Sequence, residues 1–90
     1  MITLILPAAL RPLAADRKSL QLPAATLDEV FRRLDAIAPL IRPQVLDDAG
    51  QVRPFVGLFV DGEQVSGLSD APAQLTPGSQ VMLVMAVAGG

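Results

Sequence analysis

The chain has 90 residues, 51% of them hydrophobic and 18% charged, and its formal net charge is −2. This size and composition predict one small globular domain, and the weak negative charge argues against a nucleic-acid partner. Cysteine and histidine are both absent, which excludes disulfides, thiolate nucleophiles and imidazole bases. We therefore assign no catalytic residue and no metal ligand, and we do not expect an enzyme that acts alone.

The first 22 residues predict two strands. The opening stretch MITLIL is rich in β-branched and aliphatic residues, and Pro7 ends it. At 18–22, KSLQL alternates leucine with polar residues, which indicates a second strand that returns antiparallel to the first. Between them lies the densest basic stretch, Arg11, Arg17 and Lys18, a pattern typical of a solvated loop.

Two apolar stretches, at 1–10 and 81–88, bear on membrane association. The first lacks a basic start and is interrupted by Pro7, so a signal peptide is not favoured. The second is far shorter than the roughly 20 residues that span a bilayer. We therefore expect a cytoplasmic protein with no membrane partner.

The main helix is predicted from Thr26 to about Ala38. Thr26 can cap the helix, and Glu29, three residues on, completes a capping box. Pro39 ends the helix at or near Ala38. Apolar residues at intervals of three and four predict the face that packs on a sheet, namely Leu27, Val30, Phe31, Leu34 and Ile37.

The second half of the chain predicts three more strands. Residues 39–54 contain three prolines and predict a loop with a short helical turn at 41–46. A strand at 56–60, a turn at Asp61 and Gly62, and a short strand at 64–65 form a predicted hairpin. The stretch SDAPAQLTPGSQV at 69–81 predicts a connection with at most one helical turn, and residues 81–86 predict the last strand.

The order β-β-α-β-β-β limits the topology. It suits a mixed sheet of four to five strands covered by one main helix, with the last strand parallel to the first at the centre. This is the ubiquitin-like β-grasp, an α+β fold; a different α+β sandwich is the alternative. We assign residues 1–86 to the β-grasp domain and 87–90 to a flexible C-terminal tail that ends in Gly-Gly.

Four segments resemble the small sulfur-carrier proteins of the MoaD/ThiS type, and most of all their CysO-like branch. They are LRP at 10–12, TLDEVF at 26–31, RPFVGLFVDGEQV at 53–65 and LTPGSQVMLVMAVAGG at 75–90, where a closing strand leads directly to Gly-Gly. The chain departs from the family pattern at Ser79, where Asp is frequent, and at Asp61, where Asn is frequent. Both residues lie in predicted turns that tolerate either residue.

The resemblance implies that Gly90 is the reactive residue. In the family, an E1-like enzyme of the MoeB/ThiF type uses ATP to adenylate the C-terminal carboxylate, which then becomes a thiocarboxylate that donates sulfur. The carrier itself binds no cofactor. Gly89 and Ala88 form the approach, because glycine passes where a Cβ would collide. Four extended residues reach roughly 13–14 Å beyond the last strand.

The resemblance leaves the sulfur acceptor open among cysteine, molybdopterin and thiamin biosynthesis, and the match at 53–65 favours the first. The implied partners are a sulfur-accepting synthase, PLP-dependent in the cysteine route, and a metalloprotease-type hydrolase.

Two other functions stay open. One is a protein modifier that forms isopeptide bonds through Gly90, and the other is a β-grasp interaction module whose tail is idle.

Strand alternation predicts which side chains face a partner. We expect Phe59, Met82 and Val84 to be exposed beside the tail, as an apolar partner-binding surface. The alternative places Phe59 or Met82 beneath the 39–54 loop. The neighbouring residues of the same strands are expected to face the helix, namely Val60, Val81 and Leu83.

Overall fold

A computed structural model of the protein describes residues 1–72 and 74–86. The strands are β1 (Ile2–Ile5), β2 (Ser19–Leu22), β3 (Val56–Val60), β4 (Glu63–Val65) and β5 (Gln80–Met85). The helices are α1 (Leu27–Ile37) and α2 (Ile41–Val45), with short 3-10 turns at Arg11–Ala14 and Leu68–Asp70. The predicted tail, with Ala88, Gly89 and Gly90, lies outside the described residues.

The five strands form one mixed sheet in the order β2-β1-β5-β3-β4. At its centre β1 and β5 pair in parallel, with Leu4 opposite Val81, and the other three pairs are antiparallel. The β-grasp fold predicted from the order of elements is confirmed, including the central place of the last strand and a single main helix.

Parallel pairing brings the ends of β1 and β5 to the same edge of the sheet, called here the exit edge. Beyond β1, the Leu6 N–H donates to the Lys18 carbonyl at 2.9 Å. Beyond β5, the Ala86 N–H donates to the Phe55 carbonyl at 2.8 Å. The described part of the chain therefore ends at the exit edge, where a backbone hydrogen bond holds Ala86 to the domain.

The core lies between one face of the sheet and α1. The buried side chains of β5 and the end of β3, namely Val60, Val81 and Leu83, face this core as predicted. The helix contributes Leu27, Val30, Phe31 and Leu34, all buried. Burial of each large apolar side chain stabilises the fold by about 1.5–3 kcal/mol relative to exposure, so packing of this layer favours the folded state.

The helix begins and ends as the sequence indicates, but one predicted core residue is misplaced. Thr26 Oγ1 accepts the Glu29 N–H at 3.1 Å, and the Ala38 N–H donates to the Leu34 carbonyl. Ile37, predicted in the core, is 57% exposed. At about 100° per residue it falls at the margin of the apolar stripe, whereas Ala38 falls near its centre and is buried instead.

The basic loop also differs in part from the prediction. Arg17 and Lys18 are exposed, as expected of a solvated loop. Arg11 is half-buried, and its Nε donates to the Leu6 carbonyl at 3.1 Å. Arg11 therefore fixes the chain where it leaves β1, at the exit edge.

At the opposite edge of the sheet, the turn at Asp61 and the turn at Ser79 are joined by a group of hydrogen bonds, called here the clasp. Ser79 is 3% exposed, and its Oγ donates to Asp61 Oδ2 at 3.0 Å. The same Oγ accepts the Thr76 N–H at 3.0 Å, and Asp61 Oδ1 accepts the Gln80 N–H at 2.8 Å. The two departures from the family pattern therefore contact each other, and they jointly fix the start of β5.

We predict that Ser79→Ala destabilises the protein by about 1–2 kcal/mol, because the Thr76 N–H and the Asp61 carboxylate each lose a hydrogen-bond partner. Urea unfolding measures the change: relative to the wild type, the variant should have a lower midpoint and the same dependence of unfolding free energy on urea concentration. Ser69→Ala, at an exposed position in the 3-10 turn, is the matched control and should leave the midpoint unchanged. Equal shifts in both variants would contradict the clasp.

Candidate functional site

The sheet face turned away from α1 carries an apolar patch at its centre. Ile5, Met82 and Phe59 lie side by side on β1, β5 and β3, and Val84 follows Met82 on the same face. Met82 is 37% and Val84 43% exposed. The solvent face of a one-sided sheet is usually polar, so an apolar cluster there indicates an interaction surface. We call Ile5, Phe59, Met82 and Val84 the outer patch.

Phe59 belongs to the outer patch but is half-buried, not freely exposed as predicted. Its ring lies over Gly57: a Cβ built on Gly57 would come within 2.9 Å of Phe59 Cε1 and 3.7 Å of Val84 Cβ. The missing side chain at Gly57 thus gives the ring room to lie against the sheet. Phe59 covers the backbone between β3 and β5 instead of projecting into solvent.

Sequence reasoning missed Phe55, the most prominent side chain at the exit edge. It is 66% exposed and has a φ of 68°, in the left-handed region that side chains disfavour by about 1–2 kcal/mol. Its carbonyl accepts the Ala86 N–H at 2.8 Å. Nothing in the sequence marks a phenylalanine for this conformation. Ile5 was also missed, although its alternation with Leu4 and Leu6 places it on the outer face.

We predict that Phe55→Gly is more stable than Phe55→Ala by about 1 kcal/mol, the reverse of the usual order in a strand. Both variants lose the ring, but only alanine keeps the steric conflict at positive φ. Urea unfolding of the two proteins measures the difference. A glycine variant that is less stable than the alanine variant would show that the turn does not hold this conformation.

Asp47 and Asp28 stabilise local structure. Asp47 Oδ1 accepts the N–H groups of Ala49 and Gln51, both at 2.9 Å. Asp28 pairs with Arg32 at 3.0 Å, one helical turn away on α1. Across residues 1–72 and 74–86, no group of three His, Cys, Asp or Glu side chains is placed to hold a metal. Within the same residues, no helix is long and apolar enough to cross a membrane.

The exit edge therefore brings together the end of a central strand and the exposed Phe55 side chain. The outer patch lies on the sheet face beside them, with Val84 toward the exit edge. The predicted partner residues Met82 and Val84 lie on the outer face, and Phe59 lies beside them. The predicted reactive residues Ala88, Gly89 and Gly90 follow in the sequence but lie outside the described residues. This arrangement of a β-grasp domain that ends on its central strand defines a class of small ubiquitin-like proteins.

The chain belongs to the ThiS family, whose model matches residues 4–90. It is similar to the sulfur carrier protein CysO of Mycobacterium tuberculosis strain H37Rv, with 30% identity over 91 residues, 99% of this chain and 98% of the relative. The crystal structure of M. tuberculosis CysO has a TM-score of 0.82 at 29% identity, covering 97% of this chain and all of that one.

A second solved relative carries a partner. The structure of the Amycolatopsis orientalis BexX/CysO complex matches with a TM-score of 0.84 and 25% identity, and covers 100% of both chains. These likenesses agree with the CysO-like resemblance drawn from the sequence.

Proposed function

We propose that this protein is a sulfur carrier whose Gly90 carboxylate is adenylated by an E1-like enzyme and then converted to a thiocarboxylate. The observation that carries the proposal is the match to the CysO sulfur carrier over 99% of the chain. The fold adds support, because β5 ends at the exit edge beside an exposed apolar surface. The carrier acts as a cosubstrate, not as an enzyme.

The chemistry explains why the carrier needs no catalytic side chains. A Gly90 carboxylate oxygen attacks the α-phosphorus of ATP, the bond to the β-phosphate oxygen breaks, and pyrophosphate leaves. A hydrosulfide then attacks the acyl carbon, AMP leaves and one proton is released, which yields the thiocarboxylate. The acyl-adenylate accepts the nucleophile because AMP is a better leaving group than an oxide ion. The partner enzymes supply ATP binding, sulfur and general acid–base groups.

The tail must enter the active site of the activating enzyme as a narrow strand. Gly89 and Ala88 present little or no side chain, so they can pass through a channel that would exclude larger residues. The residues before them, up to Ala86, are hydrogen-bonded to the domain. The domain thus serves as a rigid handle, and the last four residues as the part that is inserted.

The outer patch supplies the docking surface for the activating enzyme in this proposal. Met82 and Val84 lie on β5, the strand that leads to the exit edge, and Phe59 lies opposite Met82 on β3. A partner that binds this surface is therefore held close to the route of the tail. Methionine suits contacts that must adapt to more than one partner, and a carrier has at least two.

The downstream partner in this proposal is a sulfur-accepting synthase. The CysO relatives favour the cysteine route, with a PLP-dependent synthase on which the thiocarboxylate sulfur attacks an activated serine derivative. The BexX/CysO complex of Amycolatopsis orientalis supports the proposal that a CysO-like carrier binds its partner proteins directly. A metalloprotease-type hydrolase would release the product from the carrier, and a cytoplasmic location would give access to all three enzymes.

We predict that the intact protein gains about 16 Da, the difference between sulfur and oxygen, when the acyl-adenylate is attacked by sulfide. The measurement is intact mass spectrometry after incubation with ATP, a sulfide source and an E1-like adenylating enzyme from the same organism. Iodoacetamide should then add one carbamidomethyl group to the cysteine-free chain, since only a thiocarboxylate offers it a reactive sulfur.

A variant that lacks Gly89 and Gly90 is the matched control and should show neither mass change. An unmodified full-length protein, with an enzyme that is active on another carrier, would overturn the proposal. Gly90 joined to lysine side chains of other proteins, with no thiocarboxylate, would favour the protein-modifier function instead.

We predict that Met82→Asp and Val84→Asp each raise the KM of the activating enzyme for this carrier by about tenfold or more, because a carboxylate must be desolvated in an apolar contact. Gln21→Asp, which adds the same charge at an exposed position on β2, is the control. The KM of the activating enzyme for each of the three variants is measured by ATP–pyrophosphate exchange. An equal effect of Gln21→Asp would point to net charge and not to the outer patch.

A further inference from the structure

Phe55 is exposed in a way that the fold does not require. Of the three phenylalanines, Phe31 is fully buried and Phe59 is half-buried, whereas Phe55 is 66% exposed. Its positive φ adds a conformational cost that glycine would avoid. A large apolar side chain in a strained turn on the surface lowers the stability of the free protein, so its advantage lies in a contact outside the domain.

We propose that the Phe55 ring is an anchor that enters an apolar pocket of the activating enzyme, at the mouth of the channel that receives residues 87–90. This inference rests on the proposed function and names a contact that the outer patch does not include. The pocket it fits is apolar, because the ring has no polar atom and Pro54, Met85 and Ala86 beside it are apolar. Arg53 of the same turn is exposed, and its Nε donates to the Pro43 carbonyl.

The backbone of Phe55 lies next to the point where the chain leaves the domain. The Phe55 carbonyl accepts the Ala86 N–H at 2.8 Å, and the Phe55 side chain is 66% exposed. Val56 pairs with Met85 in the adjoining register position. An enzyme that surrounds residue 87 and those after it must therefore approach the segment that carries Phe55.

The ring is presented from a turn that is fixed on both sides. The Val56 N–H donates to the Arg53 carbonyl at 3.2 Å, and the Arg53 N–H donates to the Val45 carbonyl at 2.9 Å. Arg53 Nε also donates to the Pro43 carbonyl at 2.7 Å. The turn is thus tied to α2 as well as to β5. Little backbone freedom remains to be lost on binding, which favours a side chain that acts as an anchor.

The Phe55 anchor and the outer patch differ in shape and therefore in the kind of contact each can make with a partner. The patch is a broad, partly flattened surface in which Phe59 lies against Gly57. Phe55 projects further into solvent and stands where the chain leaves the domain. A projecting aromatic residue where the chain leaves the domain adds binding energy that is the same before and during the reaction, so its loss raises KM and leaves kcat unchanged.

The test is ATP–pyrophosphate exchange with the full-length protein and the E1-like adenylating enzyme of the same organism. Phe55→Ala should raise the KM for the carrier by about 10- to 100-fold, as truncation of a buried interface aromatic does, with kcat within about twofold. Phe55→Leu should recover most of the affinity because it refills an apolar pocket. Leu40→Ala, at a position 61% exposed between α1 and α2, is the matched control and should behave as wild type.

Phe55→Gly keeps the test valid should the alanine variant fold poorly, since glycine suits the positive φ and also lacks the ring. Wild-type KM values in the glycine and alanine variants would overturn the anchor, and so would a loss confined to kcat. A wild-type protein that supports no exchange, with an enzyme active on another carrier, would overturn the proposed function and the anchor with it. The first two results leave the proposed function intact, so the failures are distinguishable.

Discussion

The parallel pairing of β1 with β5 is the constraint on which the other features depend. It places the last strand at the centre of the sheet, where hydrogen bonds on both sides hold it to β1 and β3. A terminal strand at an edge would leave the C-terminal residues free to shift with it. Here the chain leaves the domain from a strand that is paired on both sides, which also carries Met82 and Val84 of the outer patch and ends beside Phe55.

The fold was largely predictable because its determinants are local and periodic. Alternation marked the strands, the capping residues and Pro39 marked the ends of α1, and the order of elements fixed the topology. Ile37 was assigned wrongly because spacing alone does not show where a stripe ends. Ile37 lies at the margin of the apolar stripe and is exposed, whereas Ala38 lies near the centre of the stripe and is buried.

The site was predictable only where alternation determines it. Met82 and Val84 followed from the pleat of β5, but the half-buried state of Phe59 depends on empty space above Gly57, which is a tertiary fact. The left-handed turn at Phe55 violates the local preference of its residue type, so no propensity could indicate it. The bond between Ser79 and Asp61 joins residues 18 positions apart, and each had been judged alone as a tolerant turn residue.

The placement of β5 has a mechanical consequence. A force applied to the last residues along the strand direction loads the hydrogen bonds to β1 and β3 together, in shear, because the pulled strand lies between its two neighbours. A strand at the border of the sheet would instead detach from a single neighbour, one bond after another. Tension on the last described residues of β5 is therefore resisted by two neighbouring strands at once, so the domain can stay folded while its C-terminal end is pulled.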